Sequence, residues 1–188
     1  MSDVFDRAAG QPSTHVPSLG AMAATELYLI RHGLAGEPTA SRDDGLRPLT
    51  RTGRKRTGAV AKRLGALGLH LDLLSSSPLV RAWETAEILQ RSGLCQRLVE
   101  STFLAPGGDF QDWLRWLARW RRRSGNHRLG VVGHMPGLGA WAETLVWGTA
   151  KQRLVLKKAG LVGLSLPPRG SPVGRCPLFL LLPPRYLV

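Results

Sequence analysis

The stretch LYLIRHG, residues 27–33, begins as a short apolar run and stops at an arginine, a histidine and a glycine. An apolar run that breaks into polar residues and glycine is typical of a buried strand ending in a loop. The stretch LGVVG, residues 129–133, repeats this pattern and stops at His134. A strand, a polar loop and then a helix form the unit from which α/β folds are built. The two stretches therefore predict an α/β fold.

Helical patterns follow the predicted strands. Thr50 is a capping residue for a helix that runs to about Leu67, before Gly68. Leu71–Ser75 predicts the second strand, and Pro78 suits the first turn of a second helix. Besides residues 129–133, the remaining predicted elements are, in order, a strand at Leu98–Ser101, a helix capped by Asp109, a helix opened by Pro136 and Gly137, and strands at Leu161–Leu166 and Leu178–Leu182.

The alternation of strands and helices predicts a three-layer sandwich, with a mostly parallel central sheet and helices on both of its faces. A chain of 188 residues is long enough for one domain with a real core, which we assign to residues 25–188. Residues 1–24 are rich in glycine, proline and serine and have no apolar period, so they are interpreted as a flexible N-terminal extension. Loops at the carboxyl ends of the strands are where such sheets bind ligands.

The composition excludes several classes of protein. With 43% hydrophobic and 21% charged residues, the chain is typical of a globular rather than a disordered protein. No apolar run is long enough to span a bilayer, and no secretory signal is recognised. The two cysteines, Cys95 and Cys176, lack the spacing of a metal site or a disulfide framework. These features predict a cytoplasmic protein without a membrane partner, a metal or another cofactor.

The net charge of +13 raises the affinity for polyanions and for acidic or phosphorylated partners. Basic residues are concentrated within residues 51–56 and 119–123, which we interpret as solvated helix faces. Lys157 and Lys158 follow the apolar run Leu154–Leu156. They could reach the rim of the predicted pocket, but we favour the interpretation that they form a solvated strand end. No basic motif with interleaved aromatic residues is present, so a nucleic-acid partner is not expected.

Two histidines and two arginines stand at the predicted strand ends. Arg31 and His32 follow the first strand, Arg81 lies in the first turn of the helix after the second, and His134 follows a later one. A histidine nitrogen is a competent nucleophile near neutral pH. Arginine binds phosphate oxygens in pairs and stabilises the charge of a transferring phosphoryl group. Each residue alone is an ordinary loop residue, but their combination at three strand-to-helix junctions points to phosphoryl transfer.

The sequence around these residues resembles the motifs of the histidine phosphatase superfamily, which has a phosphoglycerate mutase-like fold. The three stretches are LYLIRHG (27–33), SSPLVRAWETAEIL (76–89) and VVGHMPGL (131–138). RPLTRTGR (47–54) and the absence of large insertions resemble the short SixA-type branch, the phosphohistidine phosphatases. The resemblance covers the chain from residue 26 to its C-terminus, and it implies the same fold and chemistry.

The resemblance also implies a role for each residue. His32 would be the nucleophile that is transiently phosphorylated, and Arg31, Arg81 and His134 would bind the phosphoryl group. The implied substrate is a phosphohistidine on a protein, such as a histidine phosphotransfer domain of a bacterial signalling relay, and the product is inorganic phosphate. The basic surface would favour docking of an acidic partner.

The sequence departs from the family at two positions and leaves the proton donor open. Glu84 stands where glutamine is common, and Met135 where asparagine or glutamate is frequent, which affects specificity more than chemistry. Larger relatives use a glutamate after the third strand as the acid. The candidates here are Glu100 and Asp109, although Asp109 is favoured as a helix cap. A phosphoramidate nitrogen is also protonated more readily than an ester oxygen, so the acid matters less.

Two other functions stay open at this point. An enzyme of the same superfamily acting on a small phosphorylated metabolite, such as a sugar phosphate or a nucleotide, would have the same fold and core residues. A non-catalytic basic binding protein on the same scaffold would require a broken catalytic core. Arg31, His32, Arg81 and His134 are all present, so the sequence favours an enzyme.

Overall fold

A computed structural model describes residues 25–37, 43–122 and 127–188, and these residues form one six-stranded sheet. The strands are β1 (Thr25–Arg31), β2 (Leu73–Ser76), β3 (Leu98–Glu100), β4 (Arg128–Gly133), β5 (Leu161–Leu166) and β6 (Leu178–Leu182). Their spatial order is β3-β2-β4-β1-β5-β6. Strands β1 to β4 pair in parallel, whereas β5 runs antiparallel to both β1 and β6. The sheet is therefore mixed, with its parallel half in the first four strands.

Four helices cover the two faces of the sheet: α1 (Arg51–Ala66), α2 (Val80–Arg91), α3 (Phe110–Arg121) and α4 (Gly137–Trp147). Because side chains alternate along a strand, Leu27 and Leu29 of β1 face one way while Tyr28 and Ile30 face the other. The first pair packs with α3 and α4 around the buried Trp113, and the second packs with α1 and α2. The predicted three-layer sandwich is confirmed.

Two helix starts follow from capping. The hydroxyl of Thr50 accepts a hydrogen bond from the backbone N–H of Gly53 at 2.9 Å, and the carboxylate of Asp109 accepts one from the N–H of Asp112 at 2.8 Å. Each cap satisfies a donor that has no partner inside its helix. The caps therefore fix where α1 and α3 begin.

Three predicted boundaries were wrong. Strand β2 begins at Leu73 rather than Leu71, since Leu71 forms only an isolated bridge with Cys95. Between Leu71 and Leu73, the carboxylate of Asp72 accepts the backbone N–H groups of His127 and Arg128. Pro78 lies before α2 rather than in its first turn, since Leu79 is extended and α2 starts at Val80. Strand β3 ends at Glu100, one residue early, although the N–H of the next residue still bonds to the end of β2.

Three other features bear on the predictions from composition. The proposed extension, residues 1–24, lies outside the described residues. Cys95 and Cys176 are both buried free thiols. No helix in the described ranges has the length and apolar character required to cross a membrane.

Candidate active site

Three neighbouring strands bring the predicted site residues to one edge of the sheet. Strand β1 ends at Arg31, followed by His32, and its neighbour β4 ends at Gly133, followed by His134. Backbone bonds join the ends, since the N–H of His32 donates to the carbonyl of Gly133 at 3.1 Å. The N–H of Ser77, just after β2, donates to the carbonyl of Val132 at 3.0 Å. The sheet itself therefore sets the spacing of the site.

His32 and His134 form a buried pair. Their ring centroids lie 5.1 Å apart with planes tilted by 49°, and the two residues are only 6% and 7% exposed. The Nδ1 atom of His32 lies 2.7 Å from the carbonyl oxygen of Gly33. A carbonyl oxygen can only accept, so Nδ1 carries the hydrogen and the neutral ring keeps a lone pair on Nε2.

Both imidazoles are neutral at pH 7. Burial, together with the nearby positive charges, lowers the pKa of His32 to about 3, although the hydrogen bond to Gly33 opposes this shift. Burial also lowers the pKa of His134 to about 4, with Arg81 as the strongest charged contributor. A buried site with two arginines repels protons, and for the same reason it attracts anions.

The ring of His134 is oriented by Ser77. Its Nε2 atom lies 2.9 Å from the Ser77 hydroxyl oxygen, which also accepts the backbone N–H of Leu79 at 3.3 Å. Its Nδ1 atom is buried, and no described residue forms a hydrogen bond with it. Ser77 therefore connects the loop after β4 to the loop after β2.

The two arginines are held by different contacts. Arg81, the second residue of α2, is 4% exposed and donates to Asp44 twice: from Nη1 to the carbonyl oxygen at 2.7 Å and from Nη2 to the carboxylate at 2.9 Å. Arg31 donates from Nη1 to the carbonyl of Leu156 at 2.8 Å. Both guanidinium groups also contribute to the low pKa values of the two histidines, so their charge acts on the histidine pair.

The site contains a carboxylate that the sequence analysis missed. Asp44 begins a 3₁₀ turn, Asp44–Leu46, and its carboxylate also pairs with Arg47 at 2.7 Å. We call Asp44–Leu46 together with Arg47 the Asp44 turn. Partial burial raises the pKa of Asp44, but the charges of Arg81 and Arg47 outweigh this effect and hold the pKa below its usual value. The charged carboxylate of Asp44 therefore binds a donor group of Arg81 that an anionic ligand could otherwise use. The only signal for this contact in the sequence is the pair of adjacent aspartates, Asp43 and Asp44, just before Arg47.

Neither of the two predicted proton donors is among the residues that line the cavity beside His134. Asp109 caps α3, and Glu100 is an exposed residue at the end of β3. A cavity of about 270 Å³ beside His134 is lined by residues 103–108, 134–138 and Trp141, and none of these residues is a carboxylic acid. Asp44 is the carboxylate whose charge acts on His134.

The two departures from the family motifs have separate surroundings. Glu84 accepts the backbone N–H of Leu49 at 2.7 Å and pairs with Arg54 at 2.8 Å. It therefore connects α2 to the segment that leads into α1. Met135 lines the small cavity beside His134.

A glycine and a threonine fix the loop that carries His32. The N–H of Gly33 donates to the hydroxyl of Thr85 at 2.9 Å, and that hydroxyl donates to the carbonyl of Arg81 at 2.7 Å. A Cβ atom at position 33 would come within 2.4 Å of the Thr57 hydroxyl oxygen, so only glycine allows this approach. The loop that carries His32 and the start of α2 are thus connected directly.

A second missed residue, Glu143 of α4, supports Arg31 from a distance. Its side chain is 1% exposed and accepts the backbone N–H groups of residues 151–154, including those of Gln152 at 2.7 Å and Leu154 at 2.6 Å. Burial raises the pKa of Glu143, but these N–H groups outweigh it and lower the pKa below its usual value. The clamped segment leads to Leu156, whose carbonyl holds Arg31. No periodic pattern in the sequence marks such a contact.

Known proteins resemble this chain in sequence. The profile of the histidine phosphatase superfamily (branch 1) matches residues 27–105, which contain the first two motifs. An uncharacterized protein from Picosynechococcus sp. is 43% identical over 164 residues, covering 87% of this chain and 99% of the relative. The chain belongs to the histidine phosphatase superfamily. Among the described residues of this histidine phosphatase, no group of three or more His, Cys, Asp or Glu residues could hold a metal ion.

Solved structures share the fold of this histidine phosphatase. The protein histidine phosphatase SixA complexed with tungstate has a TM-score of 0.76 and 22% identity, covering 87% of this chain and all of that chain. A mutant phosphoserine phosphatase from Entamoeba histolytica, in complex with phosphoserine, has a TM-score of 0.62 and 16% identity, with coverage of 87% and 100%. One fold therefore accommodates enzymes with protein and small-molecule substrates.

Proposed function

We propose that this histidine phosphatase hydrolyses phosphohistidine on a protein through a covalent phosphohistidine on His32, without a metal. His32 carries this assignment, because its Nε2 atom keeps a lone pair while Nδ1–H is anchored to the Gly33 carbonyl. Arg31, Arg81 and His134 surround it and would bind the phosphoryl oxygens. The buried free thiols fit a reducing compartment, so we place the enzyme in the cytoplasm, acting on a phosphotransfer protein of a signalling relay.

In the first step, Nε2 of His32 attacks phosphorus and the N–P bond of the substrate breaks. The leaving imidazole departs as a neutral ring if its other nitrogen has first taken a proton from water. The charge on the transferring phosphoryl group is stabilised by the two guanidinium groups, which is the main catalytic requirement of phosphoryl transfer. This step places positive charge on the ring of His32, where the Gly33 carbonyl accepts the Nδ1–H.

In the second step, water attacks phosphorus and the bond to Nε2 of His32 breaks, releasing inorganic phosphate. Nδ1 already carries a hydrogen, so His32 leaves as a neutral imidazole and needs no acid. The attacking water passes one proton to solvent. Neither step requires the proton donor that an alcohol leaving group would need, which agrees with the absence of a carboxylate among the lining residues of the cavity beside His134.

A small phosphate ester is the second candidate substrate. The likeness to a phosphoserine phosphatase favours it, and the 270 Å³ cavity beside His134 has room for a small leaving group. Against it, an ester oxygen needs protonation more than a phosphoramidate nitrogen does. Phosphohistidine therefore remains the first choice.

A parallel hydrolysis assay on the purified protein, without added metal, tests the proposal. The substrates are a phosphorylated histidine phosphotransfer domain, a sugar phosphate and p-nitrophenyl phosphate, with His32→Ala as the control. Selective loss of phosphohistidine that depends on His32 is the expected result. Faster turnover of the sugar phosphate would favour the second candidate, a small phosphate ester, as the substrate. No turnover of any substrate would contradict both and favour a binding protein.

A further inference from the structure

A second, larger cavity opens on the Arg31 side of the site. Its volume is about 640 Å³, and it lies between the first half of α1, residues 155–161 and the end of β6. Five of its lining residues are cations, and none is acidic: Arg31, Arg56, Lys157, Lys158 and Arg185. We call this cavity the basic groove. Its position corrects our interpretation of Lys157 and Lys158, which lie in a turn on the groove wall and not at a strand end.

The positive charge of the basic groove is not compensated. Within the part of the chain that the structure describes, no carboxylate pairs with Arg56, Lys157, Lys158 or Arg185. Arg185 instead lies over the ring of Tyr186, with its guanidinium carbon 4.8 Å from the ring centroid. An anion entering the groove would therefore meet cations that have no competing carboxylate to displace.

The floor and mouth of the basic groove are apolar. Leucines and prolines of residues 156–161 and 181–184 line it, and Val155 and Leu181 are 59% and 53% exposed. Leu181 belongs to β6, the last strand at this edge of the sheet. Clustered exposed apolar side chains rimmed by charge mark interaction sites on soluble proteins. The groove thus combines apolar contact with attraction for negative charge.

We propose that the basic groove binds an acidic segment of the phosphorylated protein substrate, with an apolar side chain of that segment on the groove floor. This inference rests on the proposed function. Arg31 lines the groove and directly precedes His32, so the groove borders the strand end that carries the proposed nucleophile. No aromatic residue lines the groove, whereas single-stranded nucleic acid is bound by stacking its bases on aromatic side chains. An acidic peptide segment therefore fits better than RNA.

Two matched phosphohistidine peptides test this selection. One carries Glu and Leu around the phosphohistidine, and the other carries Lys and Leu at the same positions. We expect kcat/KM to be at least about tenfold higher for the acidic peptide at low salt, with the preference shrinking at high salt because screening weakens exposed charge pairs. An equal kcat/KM for both peptides would overturn the proposal.

Charge reversal localises the effect. Lys157→Glu combined with Arg185→Glu should lower kcat/KM for the acidic peptide about tenfold and raise it for the basic one. The matched control, Lys62→Glu with Arg63→Glu, makes the same charge change on α1 outside the groove and should change neither value more than about twofold. Turnover of free phosphohistidine, which has no flanking peptide to enter the groove, should be similar in all variants. Equal effects of the two double variants would mean that the preference for the acidic peptide comes from the net charge of the protein, and this result would overturn the proposed role of the groove.

Binding separates this inference from the proposed function. Fluorescence anisotropy of the unphosphorylated acidic peptide with His32→Ala requires no catalysis, and we expect groove-dependent, salt-sensitive binding. Such binding without phosphohistidine hydrolysis would keep the groove and remove the proposed function. Hydrolysis of phosphohistidine without groove-dependent binding would support the proposed function and overturn the assignment of the groove as a binding site. Stronger binding of a single-stranded RNA oligonucleotide than of the acidic peptide would overturn the assigned partner.

Discussion

The two sides of Arg81 are built in different ways. On one side, His32 and His134 are buried and tied to groups at the sheet ends: the Gly33 carbonyl and the Ser77 hydroxyl. On the other side, the Asp44 turn is held by charge, and the carboxyl side chain of Asp44 is 53% exposed. Burial lowers the pKa of both histidines and favours their neutral forms, whereas Asp44 stays charged beside two arginines. We therefore expect the proposed chemistry to depend on the buried side and the strength of anion binding to depend on the exposed side.

The largest effect should come from the buried side. His32→Ala removes the proposed nucleophile, so we expect turnover of the phosphorylated phosphotransfer domain to fall at least about 10³-fold and the acid-quenched phosphoenzyme to disappear. The exposed His70→Ala is the matched control and should keep wild-type activity. Substantial activity in His32→Ala would assign the nucleophile elsewhere.

Arg81 lies between the two sides, and its loss should have the next largest effect. Arg81→Ala should raise KM and lower kcat together, reducing kcat/KM about 10²-fold, because its bonds to phosphoryl oxygens strengthen in the transition state. Arg81→Lys keeps the charge but loses the paired donors, and it should recover only part of the activity. Steady-state kinetics with unchanged values in Arg81→Ala would place this side chain outside the reaction.

Removing the charge of Asp44, on the exposed side, should strengthen anion binding rather than weaken it. Asp44→Asn removes a negative charge that competes for Arg81, so the inhibition constant of inorganic phosphate should fall by about threefold to tenfold, measured as product inhibition. Asp43→Asn is the neighbouring control, since Asp43 only caps the turn through the N–H of Gly45. Weaker phosphate inhibition in Asp44→Asn would show that the carboxylate positions Arg81 rather than competing for it.

The last prediction concerns the stability of the protein rather than its activity, and it rests on the buried histidine pair. Unfolded histidines titrate near pH 6.5, whereas burial holds the pKa of His32 at about 3 and of His134 at about 4. Between these values the unfolded chain binds more protons, so the free energy of unfolding should fall as the pH decreases from 6.5 towards 4. The loss is at most about 1.4 kcal/mol per pH unit for each histidine.

Denaturant unfolding across this pH range measures that loss. Replacing both histidines, His32→Gln with His134→Gln, should flatten the dependence. The exposed pair, His70→Gln with His127→Gln, should leave the slope unchanged. Equal slopes of the free energy of unfolding against pH in both double variants would mean that other groups control how stability changes at acidic pH.

The parts of the site that could be predicted are those fixed by regular structure. The ends of β1 and β4 follow from apolar runs, and parallel pairing then brings His32 and His134 together. Asp44 and Glu143 could not be predicted, because they act through loops. Asp44 meets Arg81 across 37 residues, and Glu143 binds backbone N–H groups whose positions depend on the completed fold. Contacts between an acidic side chain and a distant loop leave no periodic pattern, so the sequence offers no reason to prefer one acidic residue over another.

The contact made by Glu143 has a consequence for how this chain can vary. Glu143 recognises main-chain N–H groups, which every amino acid except proline supplies equally. Lys151, Gln152 and Arg153 are exposed, so their side chains can be exchanged without moving the segment that leads to Arg31. Mutational tolerance should therefore be high at Lys151 and Arg153 for every residue but proline, and low at Glu143. At Gln152, where φ is +55°, it should be limited to residues that accept a left-handed backbone, such as glycine and asparagine. A fluorescent label or affinity handle attached at Lys151 or Arg153 would sit near the catalytic edge without altering it.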